Sequence, residues 1–129
     1  MNFQTENTLI AALGIETVKV DKGTVVMTMP VDERTRQPFG YLHGGASVAL
    51  AETAASVGSA VLIDPETEAC FGLEINANHL KSKREGIVTA TANIVHQGKS
   101  TMVWSIEIRD EHRALICLSR CTVAVIKKK

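Results

Sequence analysis

Residues 44–63 read GGASVALAETAASVGSAVLI, small or apolar at nearly every position, with Glu52 as the single charge. Ala and Leu favour helix, and Asp64-Pro65 supplies a stop. A helix that is apolar on every side lies inside a protein or inside a membrane. The length would permit a membrane span. Its Ala, Ser, Thr and Gly give little drive into lipid, however, and a central carboxylate would cost roughly 2.5–3.5 kcal/mol or more. The stretch therefore predicts a long helix buried at the centre of a water-soluble domain.

Everything downstream of that helix reads as strand. Phe71 to Leu80, Ile87 to His96, Thr101 to Arg109 and Leu115 to Ile126 are separated by short turns. In the clearest run, Met102, Trp104, Ile106 and Ile108 alternate with Val103, Ser105, Glu107 and Arg109, so one face is wet and one is buried. Connections this short make neighbouring strands antiparallel, and the pattern predicts a four-strand meander. Upstream, Ile15 to Val20 and Thr24 to Val31 flank Asp21-Lys22-Gly23, a hairpin signal. Thr5 to Leu13 reads as a short helix stopped by Gly14, and Asp32 to Gly40 as a loop. A hairpin, one buried helix and a meander make an α+β domain, and no linker or repeat divides residues 1–129.

Bulk properties narrow the class. Acidic and basic residues balance at 14 each, which gives no footprint for nucleic acid or an anionic membrane. No basic stretch followed by an apolar run opens the chain, so a cytoplasmic location is expected. Cys70, Cys117 and Cys121 fit no metal spacing. Four residues along a strand would hold Cys117 and Cys121 about 13 Å apart, beyond disulfide reach, so free thiols are expected.

Two features carry chemistry. A carboxylate inside a buried helix is costly unless it is paired, hydrogen-bonded or protonated. The positions one turn from Glu52 are Val48, Ala49, Ala55 and Ser56, and only Ser56 is polar. At the mouth of the helix, His43-Gly44-Gly45 offers glycines that admit a ligand to the backbone and free N–H groups that stabilise developing negative charge. Glu52 lies roughly 12 Å along the helix from that mouth. Either the helix begins later, or a substrate meets the mouth of one subunit and the Glu52 of another.

The stretch Gln37-Pro38-Phe39-Gly40-Tyr41-Leu42-His43-Gly44-Gly45-Ala46-Ser47, continuing through Leu50-Ala51-Glu52-Thr53, resembles the hot-dog-fold acyl-CoA thioesterases of the phenylacetate and 4-hydroxybenzoyl-CoA type. Gly72 to His79 and Arg84-Glu85-Gly86 extend the resemblance over most of the chain. It is strongest towards the branch that acts on 1,4-dihydroxy-2-naphthoyl-CoA in menaquinone synthesis. The resemblance implies a long helix wrapped by an antiparallel sheet, with sites at a homodimer interface and dimers commonly paired into tetramers. It casts Glu52 as nucleophile or general base, with the Gly45 N–H polarising the thioester carbonyl. Gln37 and His43 would position that carbonyl, and Ser56 would assist. No metal or bound cofactor is implied; coenzyme A enters as part of the substrate.

The CoA end would be held by His79, Lys81, Ser82, Lys83 and Arg84 and by Gly98, Lys99 and Ser100, with His96 as a further candidate. Taken singly, such hairpin charges are usually just solvated. Lys81 stands where an arginine is expected in this branch. Two other readings stay open at this point. A hot-dog dehydratase or hydratase would use a His with a carboxylate, and His43 and Glu52 supply both. A non-catalytic acyl-CoA-binding module would use the same groove.

Overall fold

Trp104 anchors the helix to the sheet. Its indole is fully buried, and its Nε1 donates to Ser59 Oγ at 2.8 Å. A Cβ on Gly58 would lie 2.5 Å from that ring, so the helix approaches the sheet as closely as it does because Gly58 has no side chain. This contact is drawn from a computed structural model, which describes residues 5–129.

The elements run α1 (Leu9–Leu13), β1 (Glu16–Asp21), β2 (Thr24–Val31), α2 (Gly44–Ala60), β3 (Glu68–His79), β4 (Gly86–Gln97), β5 (Thr101–Asp110) and β6 (Leu115–Lys127). Gly14 caps α1 in the left-handed conformation at φ 72°, as its position predicted. The six strands form one antiparallel sheet in the order β1-β2-β4-β5-β6-β3, with α2 packed against its inner face. Val25, Met27 and Met29 of β2 and Met102, Trp104, Ile106 and Ile108 of β5 point inward, and all are buried. The expected period of two holds.

Three expectations need correction. The meander comprises only β4, β5 and β6; β3 pairs with β6 at the sheet edge, not with β4. Strand alternation fixes which face is buried but not which strand lies alongside. The connection through residues 80–85 can make the crossing, because six extended residues reach about 20 Å and three strand spacings in a flat sheet need only about 15 Å.

The second correction concerns the end of α2. It stops at Ala60 rather than Ile63, where the Leu62 N–H turns back to the Ser59 carbonyl at 3.0 Å. The third concerns its burial. Ala46, Leu50, Ala54 and Val57 are buried, but Val48, Ala49, Glu52, Thr53, Ser56 and Ala60 are only half-buried and Gly45 is exposed. Their spacing of three and four places them on one stripe. One side of the helix is thus left open by the chain's own sheet, alongside the unpaired edge of β3.

Candidate active site

The loop before α2 is folded back on itself by Gln37. Its Oε1 accepts from the N–H of Phe39 at 2.5 Å and of Tyr41 at 3.4 Å, which leaves the amide NH2 available as a donor. The Leu42 N–H donates to the Lys83 carbonyl at 2.7 Å and the His43 N–H to the Thr35 carbonyl at 2.8 Å. These bonds fix where α2 begins. His43 is its N-cap, in extended conformation at φ −70° and ψ 130°, and its Nδ1 accepts from the Gly45 N–H at 2.7 Å. In a neutral imidazole that leaves the proton on Nε2.

This cap corrects one expectation. The Gly45 N–H does not face an open mouth, because His43 already uses it. The N–H of Gly44 has no acceptor among the described residues, and Gly44 lines a cleft of about 370 Å3 together with Gln37, Ser47, His79, Lys81 and Ser82. The His79 imidazole packs directly on Gly44; a Cβ there would lie 2.8 Å from its Nε2. A helix start with a free N–H at the border of a cleft is suited to an oxyanion.

Glu52 sits two turns further along the same open stripe. Among the described residues its carboxylate has neither a hydrogen-bond nor an ion-pair partner. It lies over Gly72 of β3, where a Cβ would collide with Oε2. Ser56 follows one turn later on the stripe, half-buried and not bonded to Glu52. Below, burial pushes the Cys121 thiol up to about 12, with the negative charges of Glu52 and Glu74 adding to the shift. Because α2 begins at Gly44, a later helix start does not remove the distance between mouth and carboxylate.

The proposed CoA contacts fall into three groups. His79, Lys81 and Ser82 border the cleft. Lys83 does not reach it freely: its ammonium is paired with Glu111 and lies 3.8 Å from Asp110. Glu111, through its hydrogen bond, holds the Lys83 pKa above its ordinary value. Arg84 stacks on the Tyr41 ring, 4.5 Å from its centroid, and donates to its hydroxyl at 3.3 Å. His96, Gly98, Lys99 and Ser100 lie elsewhere. Gly98 and Lys99 border a second cleft of about 420 Å3 with Leu62 and Ile63, just past the far end of α2. The His96 ring packs on Gly98, where a Cβ would lie 2.9 Å from Nε2. A helix of 17 residues, about 25 Å, separates the two clefts, so one chain does not bring these residues together. Among the described residues, no three His, Cys, Asp or Glu side chains converge as metal ligands, and no helix is long and apolar enough to cross a membrane.

Sequence reasoning missed Gly72, the Lys83 clamp and the Arg84–Tyr41 stack. Gly72 carries no local signal, since a strand glycine looks alike whether or not something rests on it. The ion pair joins residues 28 positions apart.

Residues 39–117, from the loop ahead of the helix mouth into β6, match the thioesterase superfamily. The chain belongs to that family, and with this sheet and helix it is a thioester hydrolase of the hot-dog fold. Particular relatives narrow the comparison. A 1,4-dihydroxy-2-naphthoyl-CoA hydrolase of Listeria monocytogenes is 61% identical over 117 residues, covering 91% of this chain and 94% of its own. A mutant of thioesterase PA1618 from Pseudomonas aeruginosa superposes with a TM-score of 0.93 at 43% identity, covering 95% of this chain and 88% of that one. Two mutants of SAV0944 from Staphylococcus aureus superpose with TM-scores of 0.91 and 0.89, each at 50% identity. They cover 93% and 91% of this chain and 99% and 97% of their own. One replaces a glutamate by alanine and the other a glutamine, at positions separated by the same interval as Gln37 and Glu52.

Proposed function

We propose that the chain hydrolyses an aromatic acyl-CoA thioester to the free acid and CoA, at a site built from two subunits. The observation that carries this reading is the Glu52 carboxylate, which has no partner among the described residues and lies on the open stripe of α2 in a member of a thioesterase family. In the proposed reaction the thioester carbonyl of the substrate accepts from the Gly44 N–H and the Gln37 amide at one subunit's helix mouth. Glu52 of the other subunit either attacks the carbonyl carbon or takes a proton from the water that does. The carbon–sulfur bond then breaks and CoA leaves as the thiolate. If Glu52 attacked, water hydrolyses the acyl-enzyme in a second step.

The unpaired edge of β3, with Phe71 59% and Leu73 65% exposed, favours a homodimer that buries this edge and the α2 stripe, with dimers pairing into tetramers. Such a dimer would place both subunits' CoA contacts within reach of one ligand. Naphthoyl, hydroxybenzoyl and phenylacetyl groups are the candidate acyl portions, and the Listeria relative favours the first, in menaquinone synthesis. The chemistry needs no metal or resident cofactor. Buried, protonated thiols suit a cytoplasmic setting.

The test is CoA thiol release from a panel of aromatic and aliphatic acyl-CoAs, for wild type and Glu52→Ala. Aromatic thioesters should turn over fastest, and folded Glu52→Ala should bind them but lose at least about 10³-fold in turnover. Binding without thiol release by the wild type would favour the non-catalytic module. Near wild-type turnover in Glu52→Ala would remove this mechanism.

A further inference from the structure

We infer that Gly72 is a positioning residue for the reaction: its missing side chain is the seat in which the Glu52 carboxylate rests. The inference rests on the reading of Glu52 given above and adds the element that holds it.

A strand glycine can be required by its backbone or by its surroundings. The glycines with positive φ are Gly14, Gly23, Gly40 and Gly86; Gly72 is not among them, so its conformation is open to any residue. Its surroundings are specific. The three heavy atoms nearest to a Cβ at this position all belong to Glu52: Oε2, which it would overlap, Cδ at 3.1 Å and Cγ at 3.5 Å. Among the described residues, leaving aside Phe71 and Leu73 next to it in the strand, no other atom comes closer. Glycine weakens a strand, and here it interrupts an exposed edge between Phe71 and Leu73. The Glu52 carboxylate is the neighbour that a Cβ at this position would disturb first.

The strand is also bent at this point. Gly72 pairs with Val123 and Glu74 with Thr122, so Leu73 is an extra residue and β3 bulges immediately beside the carboxylate. Glu52 has no hydrogen-bond partner among the described residues, and its Oε2 rests against the strand where the Gly72 side chain would be. A methyl group at position 72 would lift the carboxylate off the strand by roughly the overlap it creates, and a displacement near 1 Å costs about a hundredfold when it misplaces a reacting group.

The experiment compares Gly72→Ala in the wild-type and Glu52→Ala backgrounds. In the wild-type background kcat should fall about ten- to a hundredfold, while KM stays within about threefold and the melting temperature does not fall. In the Glu52→Ala background the collision is absent, so the residual rate and substrate affinity should not change further. Should Gly72→Ala alone fail to fold, folding of the double variant would still locate the clash at Glu52. Wild-type kcat in Gly72→Ala would overturn the inference. So would equal damage to folding or binding in both backgrounds, which would mark an ordinary strand role. Full turnover in Glu52→Ala alone would overturn the reading of Glu52 itself, and with it the positioning role.

Discussion

Lys83, in the connection between β3 and β4, is paired with Glu111 in the turn between β5 and β6. The same Lys83 offers its carbonyl to the Leu42 N–H, one residue ahead of the helix cap. Lys83 therefore joins the two loops that border the cleft through its carbonyl and anchors them to the β5–β6 turn through its ammonium. If Lys83 acts as this strut, Lys83→Met and Glu111→Gln should both raise KM for the acyl-CoA several-fold with kcat little changed. If Lys83 instead binds a phosphate, Glu111→Gln would free its ammonium and lower KM. Steady-state kinetics on the two variants decides between them.

The clamp also has a pH signature. The Lys83 hydrogen bond holds the Glu111 carboxyl below its ordinary value of 4.5. A depressed carboxylate stabilises the fold above its unfolded pKa, and that contribution disappears as pH falls through the folded value. Thermal melts from pH 6 downward should show wild type losing its advantage over Glu111→Gln below about pH 4.5. A constant difference down to pH 3 would contradict the pairing.

Burial raises the thiols of Cys70 and Cys117, and that of Cys121 to about 12. At pH 8 the buried Cys117 and Cys121 should react with a disulfide reagent only after unfolding, whereas half-buried Cys70 reacts sooner. The sign at high pH follows from the raised value. The unfolded chain loses the Cys121 proton near 9 and the native chain near 12, so stability should fall as pH rises across that window. Rapid labelling of all three thiols in the folded protein would contradict this.

Hydrolysis by a carboxylate and backbone donors has no step that calls for a metal. Turnover after exhaustive treatment with a chelator should equal that of the untreated enzyme. Activity lost to the chelator and restored by zinc would contradict the proposal.

Much of the architecture was legible because it is written in local patterns. The run of small residues around Glu52, ended by Asp64-Pro65, marks α2 to within a turn. The alternation of Met102, Trp104, Ile106 and Ile108 marks the buried face of β5. The place of β3 beside β6 was not legible, because alternation specifies a face and says nothing of the neighbour. Glu52 stood out as one charge among apolar residues, but its position on an open stripe depends on where the sheet ends. The cap that His43 makes on Gly45 depends on a side-chain rotamer, which moved the free donor from Gly45 to Gly44.

In the proposed site the helix mouth comes from one subunit and Glu52 from another, since roughly 12 Å of α2 separates them within a chain. Two dead variants test it: Glu52→Gln, and Gly44→Val, whose side chain would press on His79 and block the approach to the backbone N–H. Both are to be purified with different tags, shown to be folded, then mixed by refolding or co-expression. A mixed dimer would hold one site with both lesions and one with neither. Thiol release should then recover, up to about a quarter of wild type for random pairing with independent sites. Heterodimers that form and remain inactive would contradict it, and would mean that mouth and carboxylate work within one chain.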